Sequence, residues 1–245
     1  RRNGHVRFAS ERSAFEPEWL PHVQPFPPGC FWTPEGGIER FAHAVVPEGR
    51  PAPGAAVGPD PSEADLAAIR EVLVEAVESQ MMGDVPVGVF LSGGLDSSLV
   101  AAIAARWCAE RDIRLQSFAV GLEGSPDLAA AREAARALGT DHRERVYTAD
   151  EAMAALGGVV RAIESFEPSL VRSAVPNLMV AALASEHVKV VLTGEGADEI
   201  FAGYAYMRRF DDDAALQGEM VRLVEGLHNL NLQRCDRVTM AHGLE

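Results

Sequence analysis

The chain has few cysteines and no long apolar run. Three scattered cysteines, Cys30, Cys108 and Cys235, lack the paired spacing of a disulfide framework or a zinc site, and we expect them to be buried filler rather than catalytic groups. This usage is typical of a reducing compartment and predicts a cytoplasmic protein. No stretch of about 18 apolar residues is present, so no membrane span is expected. The first residues also lack the apolar core of a signal peptide.

Positive charge is also scarce. The chain has 22 Lys and Arg against 36 Asp and Glu, which gives a net charge of −14. Such a surface repels phosphate backbones, and the pair Arg208-Arg209 forms no basic stripe, so nucleic acid is not an expected partner. A length of 245 residues with 47% hydrophobic content is enough for one large globular domain or two small ones.

The distribution of Pro and Gly divides the chain. Residues 47–61, PEGRPAPGAAVGPDP, predict a linker. Residues 1–46 alternate short apolar runs with turn residues and predict strands or extended chain. Residues 62–245 open with helical spacing and then alternate strand and helix patterns. Strands are predicted at 87–91, 115–120, 143–147 and 188–192, and helices near 96–110, 127–138, 149–163, 174–187, 198–204, 212–229 and 231–242. This alternation predicts an α/β fold, an open parallel sheet with helices on both faces.

The most informative run is SGGLDSS, residues 92–98, between a predicted strand and a predicted helix. A glycine turn at this place aims backbone N–H groups and the positive end of the helix dipole at one point, which favours an anion. Ser92, Ser97 and Ser98 add hydroxyl donors. Asp96 has the wrong charge for a phosphate and the right charge for its magnesium. No lysine follows the glycines, so the run is not the GxxxxGK[ST] loop.

A second run, LTGEGADEIFAGY, repeats the pattern of strand, glycine turn and helix start. Asp198 and Glu199 open the helix, where carboxylates also serve as ordinary caps. If the sheet places strand 87–91 beside strand 188–192, both turns border one crevice. Asp96 and Asp198 then face each other across it with Mg²⁺ between them, and Glu195 projects toward the substrate. Tyr204 ends the run and is expected to pack.

A third turn follows the strand at 115–120 and contains Asp127. Its backbone edge could pair with adenine. Asp127 has two interpretations of equal weight, a contact with the ribose or a cap for its own helix.

The motifs SGGLDSS, FAVGL with GSPDL, LGTDH and LTGEGADEIFAGY occur in this order, and with them the chain resembles the synthetase domain of the glutamine-hydrolysing asparagine synthetase family. Residues 164–176 and 227–245 extend the resemblance, and the start of the chain resembles the end of the family's glutaminase domain. The resemblance therefore covers nearly the whole chain. It implies an adenine nucleotide α-hydrolase-like fold of the ATP pyrophosphatase type.

The resemblance also implies ATP and Mg²⁺ as cofactors and a set of site residues. Leu91, Val120 and Gly194 would contact the adenosine, and Thr193 would join the nucleotide site. Asp96 and Asp198 would bind magnesium, and Glu195 would be catalytic. The pyrophosphate would be held by Ser92, Gly93, Gly94, Asp96, Ser97 and Ser98.

The family reaction joins aspartate to AMP through its β-carboxylate, expels pyrophosphate and lets ammonia attack the activated carbonyl. The implied partners are aspartate, ammonia or glutamine as nitrogen source, and a second copy of the chain in a homodimer. The family's N-terminal catalytic cysteine has no counterpart here, and a later lysine stretch of the family is not reached before Glu245. We therefore expect an internal piece of a longer enzyme, with residues 1–46 a remnant of the glutaminase domain and its connection.

Three alternatives stay open at this point. The same adenylation chemistry could act on another carboxylate, as in β-lactam- or peptide-amide-forming relatives, although no tyrosine is an evident candidate for the tyrosine–glutamate pair of the β-lactam enzymes. The chain could be a catalytically incomplete ATP-binding fragment. It could also be a non-catalytic nucleotide-binding module, against which Asp96, Glu195 and Asp198 together argue.

Overall fold

The computed structural model of the protein describes residues 4–43 and 62–244. The chain divides into two compact units, Arg1–Arg50 and Pro51–Glu245. In the first unit, β1 (Cys30–Thr33) and β2 (Gly37–Arg40) form an antiparallel hairpin. Two 3₁₀ turns, Arg12–Ala14 and Leu20–His22, precede it. Strand and extended chain were expected in this segment, whereas the predicted linker at 47–61 lies outside the described residues.

The second unit is built on a parallel sheet of four strands. These are β3 (Val87–Phe90), β4 (Gln116–Leu122), β5 (Asp141–Tyr147) and β6 (Val190–Leu192). Their order is β5-β4-β3-β6, and each neighbouring pair is parallel. The predicted α/β fold is confirmed. The register places β3 directly beside β6, with Val89 opposite Leu192, which is the condition for the two glycine turns to share a crevice.

Eight helices and two further 3₁₀ turns complete the described part of this unit. The helices are α1 (Glu63–Ser79), α2 (Leu95–Ala109), α3 (Pro126–Leu138), α4 (Ala149–Ile163), α5 (Pro168–Ser185), α6 (Ala197–Phe201), α7 (Asp213–Gly226) and α8 (Asn231–Met240). The 3₁₀ turns are Ala205–Arg209 and Leu227–Asn229. Among the described helices, not one combines the length and the apolar character that crossing a membrane requires.

The strands bury both faces because successive side chains point to opposite sides. Val89 and Leu91 pack in a cluster with α1, α2 and α3. Phe90 and Phe118 pack in another cluster with α5 and Leu244. A third cluster joins α4, α5 and α8 and packs against Val120 of β4 and Tyr147 of β5. The layered core holds the carboxyl ends of β3 and β6 in place.

Three helix predictions were wrong at their boundaries. The helix predicted from 174 begins at Pro168, because Pro168 suits the first helical position and the Glu167 carboxylate accepts a hydrogen bond from the Leu170 N–H at 2.8 Å. The helix predicted over 212–229 ends at Gly226 and continues only as a 3₁₀ turn. The helix predicted over 198–204 ends at Phe201, because Ala202 adopts a left-handed backbone conformation. All three corrections concern the ends of helices rather than the apolar periodicity.

Candidate active site

A cavity of about 240 Å³ opens at the carboxyl ends of β3 and β6. Both glycine turns contribute to it, together with side chains from α5, α6 and α8. Its lining consists of Phe90, Ser92, Gly94, Asp96, Ser97, Asn177, Thr193, Gly194, Glu195, Gly196, Asp198, Glu199, Tyr204 and Cys235. This is the crevice at which an open α/β sheet binds its ligand.

A second cavity, of about 200 Å³, lies at the opposite end of the sheet, before β4 and β5 begin. Its cationic group, Arg114, already donates to the carbonyl oxygens of Gly139 at 2.9 Å and Thr140 at 3.3 Å. Arg114 is thus engaged by backbone, and the cavity offers no convergent set of reactive groups. Of these two cavities, the first is the one that gathers several carboxylates.

The first glycine turn joins β3 to α2 and is fixed by its own hydroxyls. Ser92 Oγ and Ser97 Oγ lie 2.9 Å apart, and the Gly94 N–H donates to Ser92 Oγ at 3.3 Å. Because α2 starts at Leu95, the first N–H groups of this helix lack intrahelical acceptors and open toward the turn. The turn has the form of an anion cradle.

Gly93 is required at this turn for two reasons. Its φ of +79° lies in the left-handed region, and a Cβ there would overlap the backbone of Ala130 and Ala131 in α3. The cradle is therefore pressed directly against a neighbouring helix.

The second glycine turn joins β6 to α6 and touches the first. A Cβ on Gly194 would lie 3.1 Å from both Asp96 Cβ and Ser97 N, which is tighter than ordinary van der Waals contact. This close approach brings Asp96 and Asp198 to one cavity, as the sequence predicted. The two halves of the site come from segments about a hundred residues apart.

Four carboxylates line this cavity: Asp96, Glu195, Asp198 and Glu199. Burial raises the pKa of Asp198, and the charges of Asp96 and Glu199 raise it further. The repulsion among these groups is of the kind that a divalent cation relieves, so Asp96 and Asp198 are the residues that could hold one. No three His, Cys, Asp or Glu side chains cluster as a metal site within residues 4–43 and 62–244. An ion held here would complete its shell with phosphate oxygens and water.

Glu195 projects from the second turn and is enclosed by α5 and α8. Burial raises the pKa of Glu195, and the neighbouring Arg234 guanidinium opposes that rise through an ion pair and hydrogen bond. Asn177 also donates a hydrogen bond to this carboxylate. Cys235, next to Arg234 on α8, lines the cavity, and burial raises the pKa of its thiol to about 12, so it stays protonated.

Glu199 is buried and accepts two hydrogen bonds. The Tyr204 hydroxyl donates to Glu199 Oε1 at 2.5 Å, and Asn231 Nδ2 donates to the same oxygen at 2.8 Å. Burial, followed by the Glu199 carboxylate, raises the pKa of Tyr204 above its usual range. Tyr204, expected only to pack, therefore contributes a polar group to the cavity.

Eight of the residues chosen from the sequence line the cavity: Ser92, Gly94, Asp96, Ser97, Thr193, Gly194, Glu195 and Asp198. Five do not. Leu91 is buried beneath it, Gly93 lies against α3, and Asp127 is exposed in the first turn of α3. Ser98 and Val120 are half-buried. The roles given to all these residues stay predictions.

Sequence reasoning missed the contributions of α5 and α8, namely Asn177, Arg234 and Cys235. No local motif marks these residues. Their position depends on how α5 and α8 pack on each other. The available signal was that residues 164–176 and 227–245 also resemble segments of the asparagine synthetase family.

The sequence of this chain is similar to those of known proteins. The family model described as asparagine synthase matches residues 68–215, more than half of the chain and both glycine turns. The chain belongs to the asparagine synthase family. The expected resemblance is thereby confirmed.

Curated relatives in this family extend the match to nearly all of the chain. An asparagine synthetase [glutamine-hydrolyzing] of Asparagus officinalis is 37% identical over 250 residues, which is 99% of this chain and 41% of the relative. The asparagine synthetase B [glutamine-hydrolyzing] of Escherichia coli (strain K12) is 36% identical over 261 residues, 99% of this chain and 45% of the relative. A probable asparagine synthetase of Schizosaccharomyces pombe is 38% identical, with 97% and 44% covered. The chain spans less than half the length of these relatives.

Proposed function

We propose that this asparagine synthase family chain carries out ATP-dependent β-adenylation of aspartate followed by attack of ammonia, giving asparagine, AMP and pyrophosphate. One observation carries the proposal. Two glycine turns meet at the ends of β3 and β6 and bring a phosphate cradle and the carboxylates Asp96, Glu195 and Asp198 into one cavity. The names of the curated relatives supply the amino acid product.

In this proposal the first turn and the N-terminus of α2 bind the phosphates of ATP. Ser92 and Ser97 donate hydroxyl groups, and the backbone N–H groups stabilise the charge that develops on the leaving pyrophosphate. The adenosine lies toward the ends of β3 and β4, near Leu91, Val120, Thr193 and Gly194. For Asp127, a contact with the ribose and a cap for α3 both stay open. The Asp127 N–H donates to Ser125 Oγ, and the residue is exposed.

Asp96 and Asp198 would hold Mg²⁺, which supplies neutralisation of phosphate charge when bound. Their mutual repulsion in its absence is the reason that this pair suits a cation better than either carboxylate alone. Glu195 accepts the proton that ammonia loses as the new C–N bond forms and AMP departs. Its burial among α5 and α8 keeps water from the activated carbonyl.

The remaining partners are proposed on the same basis. Ammonia comes from glutamine or from solution, and a second copy of the chain forms a homodimer. The free thiols of Cys108 and Cys235 suit a reducing, cytoplasmic location.

A second candidate, the same adenylation on another carboxylate, is favoured by the hydrogen bond between Tyr204 and Glu199 at the cavity. A tyrosine–glutamate pair is what the β-lactam-forming relatives would require. The experiment should therefore compare several acceptor carboxylates.

The test is product analysis with ATP, Mg²⁺ and ammonium and a panel of acceptors, namely aspartate, glutamate, a β-amino acid and none. The proposal expects AMP and pyrophosphate only with aspartate, in equal amounts with asparagine, and loss of both when Mg²⁺ is chelated. AMP formation with a different carboxylate would support the second candidate. ATP binding without AMP under every condition would contradict both.

A further inference from the structure

The cavity is strongly acidic, yet the proposed acceptor is an anion. Of the described residues that line it, four are carboxylates and none is Lys, Arg or His. Magnesium can balance the phosphates and the pair Asp96 and Asp198. Magnesium does not balance the charge of Glu195 or of the α-carboxylate of a bound aspartate. These two carboxylates would lie on the other side of the cavity, so a second cation is needed there.

Arg234 does not itself line the cavity, but it is the cationic group that bonds to Glu195, which does. It is 7% exposed, and one of its terminal nitrogens bonds to Glu195 while the other donates to Ser173 Oγ at 2.7 Å. Its Nε is buried and has no hydrogen-bond partner. A buried guanidinium with an unused donor is costly, and a planar fork of donors matches a carboxylate.

We propose that Arg234 binds the α-carboxylate of the acceptor amino acid, exchanging part of its ion pair with Glu195 for one with the substrate. This inference rests on the proposed function, because it concerns how that same site selects aspartate. On α5, Ser173 accepts a hydrogen bond from the Arg234 guanidinium and Asn177 donates one to Glu195, so both members of the ion pair are anchored to the same helix.

The exchange would also prepare Glu195 for its role. Arg234 opposes the rise in the pKa of Glu195 that burial causes, so a shared guanidinium leaves that carboxylate more basic. A site built this way activates its base only when an acceptor with an α-carboxylate is bound.

The experiment compares aspartate with β-alanine, which is aspartate without the α-carboxylate. Binding to the full chain is measured by calorimetry with Mg²⁺ and α,β-methylene-ATP, so that no adenylate forms. Wild type should prefer aspartate. In Arg234→Gln the affinity for aspartate should fall by about 10- to 150-fold, the range for a lost hydrogen bond to a charged group, while the affinity for β-alanine changes little.

Two further variants separate recognition from folding. Arg234→Lys retains a point charge and should keep part of the preference for aspartate. Arg237→Gln removes a guanidinium that is equally buried on the same helix but pairs with Glu164, so the preference should be unchanged. Retained β-alanine binding in Arg234→Gln shows that the site is folded.

The outcomes distinguish the inference from the proposed function. An Arg234→Gln chain that keeps the wild-type preference, or that loses both amino acids equally while Arg234→Lys also loses both, would overturn the role of Arg234 alone. A wild-type chain that binds the nucleotide analogue but neither amino acid would overturn the proposed acceptor and this assignment with it.

Discussion

Glu195 and Asp198 hold negative charge where burial makes it costly, and the charge of Asp96 adds repulsion at Asp198. A structural cluster of this kind would be neutralised by nearby Lys or Arg, and among the described residues only Glu195 receives such a partner. The energetic cost is understandable if a bound divalent cation, rather than a side chain of the protein, supplies the missing positive charge. Two predictions belong to these residues.

Glu195→Gln should separate the two half-reactions. The amide keeps the shape of the side chain but cannot accept a proton, so we expect aspartate-dependent exchange of pyrophosphate into ATP to persist. Ammonia-dependent asparagine formation should fall by about 10²- to 10⁴-fold. Isotope exchange and amino acid analysis measure the two steps, with Glu186→Gln, an exposed change after α5, as control. Equal loss of both steps would argue against a base.

Asp198→Asn should stabilise the chain at neutral pH while removing activity. The pKa of Asp198 is raised in the folded state by burial and by the charges of Asp96 and Glu199. At pH values between the unfolded-state pKa and this raised pKa, the native state therefore binds more protons than the unfolded state. Stability therefore falls as pH rises through that window, and the amide avoids the loss. At pH 7 we expect Tm to rise by about 2–4 °C for each kcal/mol of destabilisation that the amide removes. At pH values below both pKa values of Asp198, this gain in Tm should vanish.

The control for this change is Asp150→Asn, which also lies in the first turn of a helix, α4, and is exposed. It loses only a favourable interaction with the helix dipole, so its Tm should not increase. A fall in the Tm of Asp198→Asn at pH 7 would mean that capping of α6 outweighs the repulsion.

At the scale of elements, the site depends on glycine turns pressed between strands and helices. The sequence predicted these turns because a strand pattern, a glycine pair and a helix start are all local signals. It did not predict that α5 begins at Pro168 or that Arg234 meets Glu195. The first depends on a single capping carboxylate. The second depends on how α8 packs, which brings Arg234 to Glu195, 39 residues away in the sequence.

Gly93→Ala should destabilise the chain more than Gly124→Ala. Both glycines have a positive φ, +79° and +74°, but a Cβ at Gly93 meets the backbone of α3 whereas one at Gly124 meets nothing within 4 Å. Backbone strain alone costs about 1–2 kcal/mol, and overpacking adds about 1–3 kcal/mol. Urea unfolding measures the difference.

ATP binding should respond in the same order, because only Gly93 belongs to the cradle. Equal losses of stability in the two variants would show that α3 yields to the added methyl group and that strain alone requires glycine.

At the scale of the whole molecule, the core clusters of the described sheet and helices are drawn from residues 73–244. The fragment 62–245 should therefore fold alone and show a cooperative thermal transition. Its affinity for ATP should match that of the full chain, since every residue lining the cavity lies within it. Circular dichroism and calorimetry test this. A fragment with a broad, non-cooperative transition would contradict the division of the chain into two units.

The pairing of β3 with β6 also has a kinetic consequence. Val87 lies beside Val190, so this contact closes a loop of about a hundred residues, one of the least local contacts in the sheet and one of the slowest to form. β4 and β5 can add to β3 through shorter connections, whereas the cradle meets its opposing carboxylates only after β6 docks. During refolding, the capacity to bind nucleotide should accordingly lag behind the return of helical signal.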